Sequence, residues 1–206
     1  SYAWDGSESY ARIVAIGDYT EPFDSALSDR WRAVDGAWSV SGGTLNLATT
    51  SANTRLILCR QREGDFTATV DLLINAASSP YAALMFNVMN GNYWYMARIG
   101  RSTVSSFNNK LAIGRTTTYL GGAAFIPDTG VWYRLVVDYE AASGTIRAKV
   151  WDRDSGSDPG TWLVEVIDTN WRTGAFGIRA NGPTSVDNLH INGFRTYYQP
   201  IAVDAN

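Results

Sequence analysis

The sequence predicts an all-β chain folded as a two-sheet antiparallel jelly-roll sandwich. Three observations carry that expectation. Of 206 residues, 45% are hydrophobic and only 18% charged, with 19 glycines, a mixture that favours strands joined by tight turns over helices. Apolar residues recur at every second position, the period of a strand with one buried face. Turn-forming clusters separate these runs at short intervals.

The elements follow in order. Ala11–Ile16 reads as a short apolar strand in a lead-in, and the domain proper begins near Phe23. A helix is plausible only as one turn near Ser25–Arg30. Ser41-Gly42-Gly43 separates Trp38/Val40 from Leu45/Leu47 and reads as a hairpin. Arg55–Arg60 is a strand. Within 65–75, Phe66, Ala68, Val70, Leu72 and Ile74 form an apolar row opposite Thr67, Thr69 and Asp71. Asn90-Gly91 separates strands Tyr81–Met89 and Asn92–Gly100, and both central residues of a type I′ turn need positive φ. Later rows are Tyr133/Leu135/Val137/Tyr139, Ile146/Ala148/Val150, Trp162/Val164/Val166 and Phe176/Ile178/Ala180. Ala142-Ser143-Gly144 and Asn181-Gly182-Pro183 supply further turns. The expected organisation is an arm or lead-in strand over 1–21, the sandwich over 22–196 and a tail over 197–206.

Several function classes are disfavoured. The formal net charge is −3 and no run of Lys or Arg occurs, so the footprint of a nucleic-acid or anionic-lipid binder is missing. No apolar stretch approaches the roughly 20 residues of a membrane helix, so no membrane insertion is expected. Cys59 is the only cysteine and reads as a small buried hydrophobe. The segment from Ser1 to Glu8 is neither basic nor apolar and is not itself a leader. Either a leader was removed or lies outside this sequence, or the protein is made without one, which would suit a cytosolic or a virion protein; the expectation is an extracellular or virion-surface location.

From Phe23 onward the landmarks run Phe23-Asp24, Trp31, Gly36-Ala37-Trp38-Ser39-Val40 and Gly43-Thr44-Leu45. Next come Tyr81-Ala82-Ala83-Leu84-Met85-Phe86 and Asn92-Tyr93-Trp94-Tyr95-Met96-Ala97-Arg98. Gly130-Val131-Trp132-Tyr133-Arg134-Leu135 then precedes Thr145–Trp151, Gly174-Ala175-Phe176-Gly177-Ile178 and Val186-Asp187-Asn188-Leu189. Over residues 22–196 this order resembles the concanavalin A-like lectin/glucanase superfamily, in its laminin-G-like or carbohydrate-binding-module branch. The resemblance implies a concanavalin A-like sandwich. It leaves function open among lectins, carbohydrate-binding modules, glycosidases, adhesion domains and phage surface proteins. It also implies one structural Ca²⁺ where the first and last strands meet, at Asp24 and Asp187, although both acids could instead cap turns.

A retaining glycosidase needs two carboxylates about 5 Å apart. The glucanase motif Glu-x-Asp-x-x-Glu is absent, and Glu165 and Asp168 fall on opposite faces of a strand. The sole histidine, His190, reads as a polar-face residue. Asp152-Arg153-Asp154-Ser155-Gly156-Ser157-Asp158 fails EF-hand spacing, with Ser157 at the sixth position and Leu163 at the twelfth, and reads as a solvated hairpin loop. For sugar binding, aromatic faces and amides are the useful groups. Asn87, Asn92, Trp94 and Arg98 gather in one hairpin, and Trp151 shares a face with Arg147 and Lys149. Alternation puts Tyr93, Tyr95, Ala97 and Ile99 on one face and Trp94, Met96 and Arg98 on the other. The Trp94/Arg98 row is expected to be exposed, because Arg is rarely buried unpaired. Stacking of Arg98 on Trp94 with no ligand is the alternative.

The sequence therefore points to a non-catalytic domain that binds a polysaccharide or cell-surface glycan. The alternative is a capsid decoration or tail component of a phage, with 1–20 docking onto capsid or tail subunits. A glycoside hydrolase is disfavoured.

Overall fold

The computed structural model describes residues 14–48, 54–75, 80–89, 92–100 and 106–197. Fifteen strands lie among them and no helix. The first five are β1 (Val14–Glu21), β2 (Trp31–Asp35), β3 (Trp38–Ser41), β4 (Thr44–Leu47) and β5 (Thr54–Glu63). Then come β6 (Phe66–Ile74), β7 (Tyr81–Val88), β8 (Tyr95–Gly100), β9 (Lys110–Arg115) and β10 (Thr118–Ala124). The last are β11 (Trp132–Glu140), β12 (Thr145–Asp152), β13 (Val164–Ile167), β14 (Thr173–Asn181) and β15 (Thr184–Tyr197).

They form two antiparallel sheets. One has eight strands in the order β13-β12-β11-β6-β15-β4-β3, with β1 also paired to β15. The other has seven, in the order β10-β9-β8-β7-β14-β5-β2. β15 changes partners along its length: Thr184–Val186 pair with β4, and the stretch from Leu189 pairs with β1. A bulge between Asp187 and His190 accompanies the change, with Asn188 at φ +49°. Asparagine tolerates that left-handed conformation better than most residues, which suits it to a bulge.

The expected apolar rows of β6, β11, β12 and β14 all point between the sheets and are buried. Phe66 sits at their centre, with Phe176, Phe86 and Tyr139 rings 4.9, 5.5 and 5.5 Å away. Such rings contribute both buried area and edge-to-face contacts. The β3–β4 hairpin turns through Gly42 and Gly43, both at positive φ, as its sequence requires.

Four local expectations differ from the structure. The lead-in strand, described over Val14–Glu21, runs on past the expected end at Ile16, and the expected start at Ala11 lies outside the described residues. Ser25–Arg30 forms bends and a turn, not a helical turn. β13 starts only at Val164, so Trp162 lies outside the strand and is 38% exposed. β8 starts at Tyr95, which frees Tyr93 from the core row. Asn90-Gly91 and the N-terminal 1–13 lie outside the described residues, as does the side chain of Cys59.

The seven-stranded sheet departs most from simple alternation. Every residue of β7 and β8 is buried. Their inner rows join the main core. Their outer rows, Ala83, Met85 and Met96 among them, join Trp94, Phe107 and Ala112 in a second buried cluster.

Candidate functional site

Cross-strand register builds a row of arginines on the outer face of the seven-stranded sheet. Arg179 of β14 lies opposite Arg55 of β5 on one side and Ala83 of β7 on the other. Ala83 lies opposite Arg98 of β8, and Arg98 opposite Ala112 of β9. These positions face outward because their neighbours Leu56, Ile178, Leu84, Ala97 and Ile99 belong to the core. Three guanidinium groups thus sit across four adjacent strands, interrupted by one alanine.

Aromatic rings hold these groups. The Arg98 guanidinium lies 4.1 Å from the Tyr81 ring centre and 5.0 Å from that of Phe107. Arg179 and Arg55 approach the Trp94 ring at 5.1 and 5.5 Å. Each such contact contributes about 0.5–2 kcal/mol, more when water is excluded. Phe107 can lie against the sheet because Gly114 beneath it has no side chain: a Cβ there would sit 2.5 Å from the ring. Arg55 also donates to Asp35 from Nε at 2.9 Å and Nη2 at 2.7 Å.

The expectation of an exposed Trp94/Arg98 row is corrected here. The face is as read, but Trp94 is only 6% exposed and Arg98 only 8%. Arg98 is enclosed by rings from two other segments, and it stacks on Tyr81 and Phe107 rather than on Trp94. Burial pulls the Arg98 guanidinium down to about 10, with the charge of Arg179 acting in the same direction. Burial likewise lowers Arg179 and raises the Tyr81 phenol.

The remaining candidates fall elsewhere. Asn87 is fully buried at φ +49°, and its Nδ2 donates to the Trp171 carbonyl at 3.0 Å, so it anchors a loop and does not face solvent. Asn92 is exposed beside Tyr93, which is 49% exposed with its ring 5.5 Å from Trp171. Both lie in the segment leading into β8. Trp151 is half-buried on the other sheet. Lys149 Nζ lies 5.7 Å from its ring and 5.1 Å from that of Trp162, and donates to Asp158 at 2.6 Å. The five proposed sugar contacts therefore do not converge. Arg55, Tyr81, Phe107 and Arg179 were not singled out from the sequence. Arg55 and Arg179 were readable as outward positions in apolar strands, but which strands adjoin was not.

The acidic groups are engaged within the fold. Glu165 accepts from Arg147 at 2.6 Å. Asp168 accepts from the Tyr95 hydroxyl at 2.5 Å and from Arg115 at 2.6 Å. Asp152 caps its own loop by accepting from the backbone of Asp154 and Ser155.

The calcium expectation meets a poor donor set. Asp24 is exposed. Asp187 lies opposite Asp71, which is fully buried and accepts two hydrogen bonds from Arg134, at 2.8 and 2.9 Å, and one from Asn188. Arg153 stands 3.7 Å from Asp71. Asp187 itself accepts from Asn188 N at 2.7 Å and Nδ2 at 3.0 Å. Calcium takes a shell of six to eight oxygens. Two guanidiniums already balance these carboxylates, and among the described residues no three His, Cys, Asp or Glu side chains cluster for a metal. The residues around Asp187 do not fit the ion.

Two stacked antiparallel sheets with this strand order make the chain a concanavalin A-like β-sandwich. Solved structures with that fold superpose on it. The carbohydrate-binding module CBM66 from Bacillus subtilis aligns at a TM-score of 0.64 and 16% identity, covering 79% of this chain and 95% of its own. Basic winged bean lectin, solved with Tn-antigen, aligns at 0.68 and 9% identity, covering 90% and 100%. A Bacillus subtilis protein of unknown function with a galectin-like fold aligns at 0.63 and 11% identity, also covering 90% and 100%. At these identities the likeness is one of fold. No protein-family model matches the chain, and no curated protein sequence matches it.

Proposed function

We propose that this chain is a non-catalytic glycan-binding domain that works outside the cell or on a virion surface. The observation that carries the reading is the outer face of the seven-stranded sheet. There, a sandwich of the type found in lectins and carbohydrate-binding modules places guanidinium N–H edges beside aromatic rings. Arg179, half-buried at the centre of the row, lies against the Tyr81 and Trp94 rings. Trp94 and Tyr81 hold the guanidiniums in place, so the donors are ordered before a ligand arrives. The engaged state of Glu165 and Asp168 supports a binding role rather than hydrolysis. Display on a capsid or tail is compatible with the same binding surface.

A polysaccharide panel tested by affinity electrophoresis checks this reading. Retardation by at least one polysaccharide is expected, lost in Arg179→Ala and kept in Trp151→Ala, with no reducing sugar released. Absence of retardation by every polysaccharide refutes glycan binding, and release of reducing ends makes the protein a glycosidase.

A further inference from the structure

The end of the sandwich beside the start of β8 carries an exposed aromatic ring on a fixed mount. Tyr93 is 49% exposed, the largest share of any aromatic side chain among the described residues. Its ring lies 5.5 Å from that of Trp171, and the Trp171 ring lies 5.3 Å from that of Tyr95. Tyr95 in turn stacks on Phe86 of the core at 5.6 Å. Four rings thus run from the core out to the surface. A side chain held in place before a ligand arrives removes part of the ordering cost of binding.

The turn that carries Trp171 is tied down through its polar groups. The Trp171 N–H donates to the Tyr95 hydroxyl at 3.2 Å, and its carbonyl accepts from Asn87 Nδ2 at 3.0 Å and from the Tyr139 hydroxyl at 3.3 Å. Asn87 is fully buried and holds a left-handed backbone, φ +49°, while making that bond. Gly174 lets the chain pass beside it, since a Cβ there would lie 2.3 Å from the Asn87 carbonyl carbon. Backbone held in such sparsely populated conformations gathers at ligand sites. Asp168 completes the mount, accepting from the Tyr95 hydroxyl, from Arg115 Nη1 and from both N–H and Nδ2 of Asn170.

Two groups of this mount keep bonding capacity at the surface. Asn170 is exposed, and its Oδ1 accepts no hydrogen bond from the described residues. The Arg115 side chain is 28% exposed, with its guanidinium 5.8 Å from the Trp171 ring centre. Among the described residues it makes one hydrogen bond, from Nη1 to Asp168 at 2.6 Å, which leaves Nε and Nη2 for other acceptors. Arg115 and Asp168 balance each other in charge, so the pair favours an uncharged ligand. A pyranose ring matches these elements. Its C–H face packs on an aromatic ring, and each hydroxyl both donates and accepts, so one meets a guanidinium N–H and its neighbour an amide oxygen. We propose that Tyr93, Arg115 and Asn170 form a subsite for one uncharged pyranose residue of a polysaccharide, stacked on the Tyr93 ring. This rests on the glycan-binding reading and adds a contact at the margin of the outer face, since Tyr93 directly precedes Trp94.

The test measures dissociation constants of the full chain by affinity electrophoresis in gels containing mixed-linkage β-glucan, galactan or galactomannan, each an uncharged pyranose polymer. At least one is expected to retard the protein. Against that polymer Tyr93→Ala binds about tenfold more weakly, and Tyr93→Phe, which keeps the ring, binds as the parent does. Asn170→Ala weakens binding about threefold. Trp162→Ala, which removes the other well-exposed ring, leaves it unchanged. Should Tyr93→Ala fail to fold, Asn170→Ala decides in its place. Parental binding by Tyr93→Ala or by Asn170→Ala, or equal weakening in Tyr93→Phe and Tyr93→Ala, overturns the subsite and leaves glycan binding standing. Retardation by charged polysaccharides alone does the same. Absence of retardation by every polysaccharide, charged or neutral, overturns both.

Discussion

The guanidinium carbon of Arg98 lies 4.1 Å from the centre of the Tyr81 ring on the outer side of a sheet, and both residues are buried. The two residues pull stability in opposite directions. Tyr81 fills space against Gly100, so Tyr81→Ala is expected to lower stability by about 3 kcal/mol in urea unfolding. Arg98 is a desolvated cation, and replacing such groups with apolar ones of similar volume is often neutral or stabilising. Arg98→Met should therefore unfold at the same urea concentration as the parent or higher. A loss above about 2 kcal/mol would mean that the guanidinium stabilises the sheet.

Gly114 makes the bed on which Phe107 lies. Gly114→Ala puts a methyl group 2.5 Å from the ring, too close for any real contact, so Phe107 must move. Overpacking of this kind costs about 1–3 kcal/mol. Displacing Phe107 also uncovers Arg98. The variant should lose stability in that range and show faster amide exchange in β8 and β9. A parental urea midpoint would indicate that Phe107 is not seated on the strand.

Asp187 makes stability depend on pH in a definite sense. Burial holds its carboxyl above the ordinary value and the charge of Asp71 adds to this, while Asn188 N–H and the two arginines oppose the shift. An acid whose pKa rises on folding binds its proton more tightly in the folded state. Its contribution is present below the ordinary aspartate value of about 3.9 and is lost as the pH rises through the folded value. Asp187→Asn should raise Tm at pH 7, with the difference closing near pH 3. Equal Tm values for the two proteins at pH 7 would show that the carboxylate is not destabilised.

Divalent cations should not change stability. Arg134 and Arg153 already neutralise the acidic pair at Asp71 and Asp187, so Tm in 5 mM Ca²⁺ (about five hundredfold above a 10 µM site) should equal Tm in EDTA. A rise in Tm with calcium that disappears in Asp24→Asn or Asp187→Asn would place an ion there.

Trp151 and Trp162 flank Lys149 on the sheet away from the arginine row. Trp162→Ala is expected to change stability by less than about 1 kcal/mol, since its ring is more than a third exposed. Polysaccharide retardation should also be unchanged. Loss of retardation in this variant would move the binding surface to the eight-stranded sheet.

The sequence by itself determined the two stacked sheets. Rows such as Phe66/Ala68/Val70/Leu72/Ile74 have only one way to bury an apolar face in an extended chain, because successive side chains alternate sides. The same alternation correctly put Trp94 and Arg98 opposite Tyr95 and Ala97. Only the tertiary structure decided that this outward row would be buried. Arg55, Tyr81, Phe107 and Arg179 come from segments up to 124 residues apart (Arg55 to Arg179), and which strands adjoin is set by sheet order, which local periodicity does not encode. Periodicity assigns a side chain to a face. Whether that face meets water depends on what the rest of the chain folds over it, and here a loop phenylalanine and neighbouring arginines close over the sheet.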